Sequence, residues 1–134
     1  MAFCKKDLKD KSSCLCINTT KTDVAKSYER ISDFYAGKSV FITGATGFLG
    51  KVLIERLLST CTDIGSIYVL IRSKGGMNLE QRLQKITDAS LFDKLKSLKP
   101  DTIKKIIPIE GDLSKPGLDI SISDEQRLID NVSI

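Results

Sequence analysis

Blocks of apolar residues separated by polar and glycine-rich punctuation predict a strand–helix alternation over most of the chain. Residues 1 to 34 are the exception. Ser12, Ser13, Asn18, Thr19 and Thr20 cluster there among mixed charges with no apolar period, which predicts a flexible polar leader, with one short helix from Thr22 to Ile31. From residue 35 to 134 the pattern is that of a packed domain. Ser39–Thr43 is a short, mostly apolar, β-branched run between two glycine turns, as expected of a strand buried on both faces of a parallel sheet. A glycine-rich corner follows, then a helix over Leu49–Ser59. Its residues Leu53, Ile54, Leu57 and Leu58 form one apolar stripe for the sheet. Thr62-Asp63-Ile64-Gly65 breaks that helix, and Ser66–Ile71 reads as a second buried strand ending at Arg72. Together these segments make a βαβ unit of about the ~30 residues it requires.

Beyond a turn at Ser73–Gly76, Asn78 and Gln81 form a capping-box pattern opening a helix whose apolar side is Leu79, Leu83 and Ile86. A second short helix is expected over Leu91–Leu98, burying Leu91, Phe92, Leu95 and Leu98, with Pro100 stopping it. Ile106–Ile109 reads as a third strand, with Pro108 arguing for an edge position or a broken ladder. Ser123 and Gln126 suggest another capping box opening a helix through Asp130, after which Val132-Ser133-Ile134 begins a fourth strand. The fold class is therefore α/β: a Rossmann-type, doubly wound parallel sheet, incomplete, with three strands and the start of a fourth.

Composition narrows the functions available. The 134 residues fit one domain, for which roughly 100–200 is usual. Lys and Arg total 21 against 17 Asp and Glu, a net charge of +4, too small and too dispersed for a nucleic-acid partner. The chain has no histidine, which removes Ser-His-Asp and Cys-His catalysis and His-ligated metal sites. Cys14 and Cys16 are spaced more tightly than a zinc knuckle, so with Cys4 and Cys61 they read as free thiols of a reducing compartment. No apolar run reaches the ~18–20 residues of a membrane span. The charged stretch Lys5 to Lys11 does not fit a secretory signal, which places the chain on the cytosolic side.

The corner Thr43-Gly44-Ala45-Thr46-Gly47-Phe48-Leu49-Gly50 carries the clearest chemistry, because it leaves a buried strand and opens an amphipathic helix. Gly44 permits the sharp turn, Gly47 lets backbone N–H groups approach a pyrophosphate, and Gly50 permits close packing of helix and sheet. Unpaired N–H donors and a partial positive charge at the helix start suit an anionic cofactor. A nucleoside triphosphatase loop is disfavoured, because Gly50-Lys51 is followed by Val52 rather than Ser or Thr. The candidate cofactor loop is thus Thr43, Gly44, Thr46, Gly47, Phe48, Leu49 and Gly50.

Arg72 stands at the end of the second strand, where NAD-preferring folds place Asp or Glu. A guanidinium there favours a 2′-phosphate and hence NADPH, the alternative being a solvated arginine. Asp112, with Leu113 beside it, follows the third strand and is placed for the adenine edge or, equally, as a turn-capping residue. Basic residues outnumber acidic ones between Arg72 and Lys105, among them Arg82 and Lys85. Most fit the wet faces of helices, although some would suit a phosphate-bearing ligand such as coenzyme A.

The glycine corner resembles the cofactor loop of the extended short-chain dehydrogenase/reductases. The wider run from Phe34 to Leu53 resembles the start of the fatty acyl-CoA reductases, as do Ile67–Arg72, Leu91-Phe92-Asp93-Lys94-Leu95 and Ile109-Glu110-Gly111-Asp112-Leu113. The resemblance covers about residue 34 to the end. It implies an NADPH-dependent reductase, active in lipid metabolism, that converts long-chain fatty acyl-CoA to a primary alcohol through an aldehyde. It also implies a catalytic tyrosine with a lysine four residues on, and a full-length protein that can associate with peroxisomal or endoplasmic-reticulum membranes. Tyr28, Tyr35 and Tyr68 are followed four residues on by Ser32, Ser39 and Arg72, so the pair is absent here and no catalytic residue is expected. That absence and the barely begun fourth strand make the chain read as an N-terminal fragment, inactive alone, with an open edge on its first strand. A non-catalytic NADP-binding module and another extended reductase, such as a thioester-reductase domain, are the alternatives.

Overall fold

A computed structural model describes residues 30–73 and 75–134. The leader up to residue 29, including Cys4, Cys14, Cys16 and nearly all of the expected Thr22–Ile31 helix, lies outside the described residues. Helix α1 (Ile31–Tyr35) spans the leader boundary expected at residue 34. Tyr35 packs against the core, and Phe34 meets the Tyr35 ring edge-on at 5.1 Å.

Strands β1 (Val40–Ile42), β2 (Ile67–Ile71) and β3 (Ile106–Glu110) form one parallel sheet with β2 in the middle. Val40 pairs with Ile67, and Ile67 with Ile106, so the three strands start level. Every residue of β2 is buried, which is why its sequence is a continuous apolar run rather than an alternating one. Ile67, Val69 and Ile71 face one side, where helix α2 (Phe48–Thr60), helix α3 (Leu79–Thr87) and helix α4 (Asp93–Leu98) contribute Ile54, Leu57, Leu58, Ile86 and Leu95 to one core, with Phe92 from the turn before α4. Tyr68, Leu70 and Ile109 form a smaller core on the other side, against Leu128 of helix α6 (Ile122–Asn131) and Ile120. Parallel neighbours require crossovers, and α2 supplies the first.

Pro108 sits opposite Val69 on β3, at the edge of the sheet among the described residues, so its missing N–H interrupts no ladder on the outer side. At the opposite edge the chain returns beside β1. Ser39 bridges Val132 in parallel, Ser133 N–H donates to the Ser39 carbonyl at 2.9 Å, and Phe41 N–H donates to the Ile134 carbonyl at 2.9 Å. The start of a fourth strand thus begins to cover the edge expected to be open. The order β3-β2-β1, with this segment next, is the order of a Rossmann-type sheet.

Asn78 caps α3 as expected: its side chain accepts from Gln81 N–H at 2.8 Å, and the Gln81 side chain accepts from Asn78 N–H at 3.1 Å. Three expectations fail on local grounds, and a fourth, for Pro100, holds with an addition. Leu53 is 48% exposed, because α2 turns a narrower face to the sheet than its apolar stripe allows. Leu91 and Leu98 are exposed, because a 3₁₀ turn over Ser90–Phe92 rotates only Phe92 and Leu95 inward. Pro100 does not simply stop a helix; it occupies the first position of a new one, α5 (Pro100–Ile103), where its missing N–H is unneeded. The cap of α6 is Ser121 rather than Ser123, its hydroxyl accepting from Asp124 N–H at 3.2 Å.

Candidate functional site

The glycine corner joins the carboxyl end of β1 to the start of α2. Gly44 has φ +71°, a left-handed conformation that L side chains rarely adopt, and this turns the chain off the strand. Gly47 N–H closes the turn on the Gly44 carbonyl at 3.0 Å. Gly47 is then the N-cap of α2, and being glycine it offers no side chain to the first N–H groups of the helix. Those donors are left facing the exposed corner, the condition under which a helix start accepts an anion. Gly50 packs against the turn itself: a Cβ there would stand 2.7 Å from the Ala45 Cα and 2.9 Å from the Gly44 carbonyl carbon. Ala45 beneath it is fully buried.

The corner faces the carboxyl ends of β2 and β3. Gly44, Thr46, Arg72, Asp112 and Leu113, all expected from the sequence, line one cavity of about 260 Å³ together with Leu70, Arg82 and Gly111. Thr43 lies exposed at the strand end, while Phe48 and Leu49 are 79% and 80% exposed at the start of α2. Neither Phe48 nor Leu49 lines that cavity. Phe48 instead borders a shallow apolar hollow with Lys51, Ala89 and Leu91.

Arg72 and Asp112 face each other across the cavity, with Nη1 of the arginine 3.7 Å from Oδ2 of the aspartate. The Arg72 side chain is 59% exposed. Of the two alternatives for Asp112, the geometry shows the turn cap. Its Oδ1 accepts from the Ser114 N–H at 3.0 Å and the Ser114 hydroxyl at 2.8 Å, making it a turn cap, while Oδ2 points toward Arg72. The Ser114 N–H and hydroxyl, followed by the charges of Arg72 and Lys115, hold the Asp112 carboxyl below the ordinary carboxylate value.

Arg82, one of the basic residues that the sequence leaves open between a wet helix face and a phosphate-bearing ligand, lines the same cavity. Its Nη1 donates to the Arg72 carbonyl, so α3 carries a second guanidinium to the end of β2. It also lines an adjoining cavity of about 410 Å³ with Thr46, Lys51 and Lys85. A signal was present: Arg82 is four residues past the Asn78 cap, on the first turn of the helix that follows the second strand. Cys61, the only free cysteine among the described residues, is fully buried away from this site.

These residues fit a dinucleotide phosphate. The Gly47 cap puts no Cβ over the helix donors, and Arg72 and Arg82 make the adjoining cavity cationic.

Comparison with known proteins agrees with this geometry. Residues 42–134 match the family of NAD-binding domains described as male sterility protein. The chain is 46% identical over 104 residues to fatty acyl-CoA reductase 1 of Xenopus laevis and 44% identical over 104 residues to that of Homo sapiens. Each alignment covers 78% of this chain but 20% of the relative, so the chain spans about a fifth of the length of the curated relatives it matches. Among solved structures, the reductase domain of a non-ribosomal peptide synthetase from Mycobacterium tuberculosis superposes with a TM-score of 0.57 at 31% identity, covering 72% of this chain and 23% of that one. The terminal R domain of the myxalamid pathway aligns with a TM-score of 0.54 at 30% identity, covering 72% of this chain and 23% of that one. With its glycine corner, its parallel sheet and a match over more than half its length, the chain belongs to the male sterility protein family of NAD-binding domains.

Proposed function

We propose that the chain is the cofactor-binding start of an NADPH-dependent reductase that converts long-chain fatty acyl-CoA to a primary alcohol by way of an aldehyde. The observation that carries this reading is the bare start of α2, capped by Gly47 with no side chain over its donors, beside two guanidiniums at the end of β2. NADPH would supply a hydride to each of the two carbonyl stages. The residues of this chain bind and orient: Gly44 to Gly50 hold the pyrophosphate, Arg72 and Arg82 hold the 2′-phosphate, and Asp112 with Leu113 borders the adenine. Thr43, Phe48 and Leu49 flank the same corner. Similarity favours the fatty acyl-CoA branch over another extended reductase: the chain is 46% identical to a fatty acyl-CoA reductase and 31% to the reductase domain of a non-ribosomal peptide synthetase, over comparable spans.

No helix among the described residues is long and apolar enough to cross a membrane. The proposed place of the whole protein, the cytosolic face of a peroxisomal or endoplasmic-reticulum membrane, rests on the family resemblance alone.

Calorimetric titration of the chain with NADPH and with NADH tests the reading. NADPH should bind at least tenfold more tightly. Arg72→Ala should remove most of that preference while leaving NADH binding nearly unchanged, because a charge-assisted pair to phosphate is worth about tenfold or more in affinity. Equal binding of the two nucleotides, or of neither, would refute it. With no Tyr–Lys pair in these 134 residues, the chain mixed with NADPH and a long-chain acyl-CoA should produce no alcohol. Product detected by mass spectrometry would count against the assignment of chemistry elsewhere.

A further inference from the structure

The segment between β3 and α6 is conformationally unusual. Gly117 (φ 64°, ψ 17°), Leu118 (φ 59°, ψ 13°) and Asp119 (φ 50°) lie consecutively in the left-handed region. Single residues visit that region, mostly Gly, Asn and Asp; a leucine held there within a run of three is an outlier. Such a conformation persists only where the surroundings over-determine it, and it gathers at ligand clamps and active sites.

The contacts show what over-determines it. The Leu118 carbonyl turns back over the end of β3 and accepts the Asp112 N–H at 2.7 Å. A Cβ on Gly111 would stand 2.6 Å from that carbonyl oxygen and 2.6 Å from Leu70 Cδ1, so glycine at 111 is what lets the turn seat this closely. Lys115 N–H donates to the Asp112 carbonyl at 3.1 Å, and the Lys115 ammonium pairs with Asp119 at 2.6 Å, closing the loop on itself. Ile120, directly after the turn, packs into the core on that side of the sheet. Both main-chain groups of Asp112 are therefore held by one loop, and its carboxylate is the group that faces Arg72.

We propose that the left-handed turn Gly117–Asp119 is a positioning element of the nucleotide site: through the Leu118 carbonyl it fixes the Asp112 main chain, and with it the Asp112–Leu113 wall opposite Arg72. The inference rests on the proposed function, in which that wall borders the adenine. Gly117, Leu118 and Asp119 touch no ligand in this arrangement; they act through Asp112.

Gly117 gives a clean test, because a Cβ there meets nothing within 4 Å. A Cβ at this position therefore acts through backbone preference rather than through a clash. Asn tolerates the left-handed region, and β-branched Val does not. The full chain, its Gly117→Asn, Gly117→Ala and Gly117→Val variants are titrated with NADPH, with adenosine 2′,5′-bisphosphate as the adenine end, and with reduced nicotinamide mononucleotide as the other end. Gly117→Asn should stay within about twofold of the parent for all three ligands, on the grounds of its tolerated φ. Gly117→Val should lose about tenfold for NADPH and for the bisphosphate, with nicotinamide mononucleotide unchanged, and Gly117→Ala should fall between, in the order of their left-handed preference. Should Gly117→Val fail to fold, the Asn–Ala pair decides alone. Equal binding across the variants overturns the proposal, and so does an equal loss for Asn and Val. If the parent chain binds neither NADPH nor the bisphosphate, the functional reading has failed first, and that result is visible before any variant is compared.

Discussion

The three glycines of the corner should respond differently to alanine, because each is required for a different physical reason. Gly50 is the sharpest case. The Cβ of Gly50→Ala would lie 2.7 Å from the Ala45 Cα and 2.9 Å from the Gly44 carbonyl carbon, both main-chain atoms that cannot swing aside. Relief requires shifting α2 or the turn, and overpacking of this kind costs about 1–3 kcal/mol. Alanine regains only part of its ~1 kcal/mol helix advantage, since residue 50 is in the first turn of α2. For a domain of this size, each kcal/mol shifts the melting midpoint by roughly 4–8 °C, so a fall of about 5–20 °C is expected. Gly44→Ala meets open space and pays only for its φ of +71°, about 1–2 kcal/mol. Gly47→Ala meets a single oxygen, of Gly44, at 3.3 Å, so its stability should drop by under about 1 kcal/mol. Yet Gly47→Ala places a methyl at the helix start, so it should lose NADPH affinity out of proportion to its stability. Thermal unfolding followed by circular dichroism, with NADPH titration of each variant, separates the cases. A Gly50→Ala chain that melts within a degree or two of the parent would sink the packing argument.

Two further outcomes follow from the structure. Phe92→Ala, which empties a fully buried ring site, should cost about 3–5 kcal/mol in denaturant unfolding, whereas Leu98→Ala, at 68% exposure, should stay within about 0.5 kcal/mol. The Asp112 carboxyl titrates below its usual 3.8 because Ser114 and then Arg72 favour the charged form. Its stabilising contribution is therefore complete above that ordinary value and lost as the pH falls through the depressed one. Asp112→Asn should flatten the acid limb of a stability–pH profile below about pH 4, since an amide has no proton to take up. An unchanged limb would assign the acid sensitivity to other carboxylates, such as Asp33 and Asp101, which are also lowered.

The parts of the fold that were legible in the sequence are those where burial alone dictates residue type. A strand covered on both faces must be apolar at every position, so Ser66–Ile71 announced β2 to within a residue. The Asn78–Gln81 box was legible because both halves of the reciprocal bond are local. Ser121 was passed over because its partner at the third position is Asp124 rather than Glu or Gln, while Ser123 and Gln126 offered the expected spelling two residues later. Leu53, Leu91 and Leu98 have the right period but the wrong neighbours; which apolar residues are covered depends on how wide a face the sheet presents, and that is a tertiary property. Within the site, Gly44 and Thr46 of the corner line one cavity with Arg72 and Asp112, because β1, β2 and β3 are parallel and end at the same edge of the sheet. Arg82 carried only the signal of its place on the first turn after the second strand; it is the path of α3 back to the end of β2 that brings it to the cavity. The left-handed turn left a trace only in Pro116-Gly117; nothing in the identity of Leu118 marks its φ.

The two guanidiniums differ in how freely they can meet a ligand, and that difference bears on cofactor choice. Arg82 is anchored, its Nη1 committed to the Arg72 carbonyl, so its remaining donors are held in a fixed direction at low entropic cost. Arg72 is more than half exposed and its contact with Asp112 is long, 3.7 Å, a pair of the kind that contributes little to folding. Asp112 keeps its own two bonds to Ser114 whether or not the arginine is present. Arg72 can therefore turn to a phosphate dianion without leaving a buried charge unpaired, and without unmaking the turn that carries Asp112. An acidic residue at the same strand end would instead stand beside Asp112 and repel it, adding like-charge cost to the loss of a phosphate partner. Under the proposed function, Arg72 and Asp112 would set the preference for a 2′-phosphate together, because a pair this long and exposed is weak enough to release the guanidinium to a stronger anion.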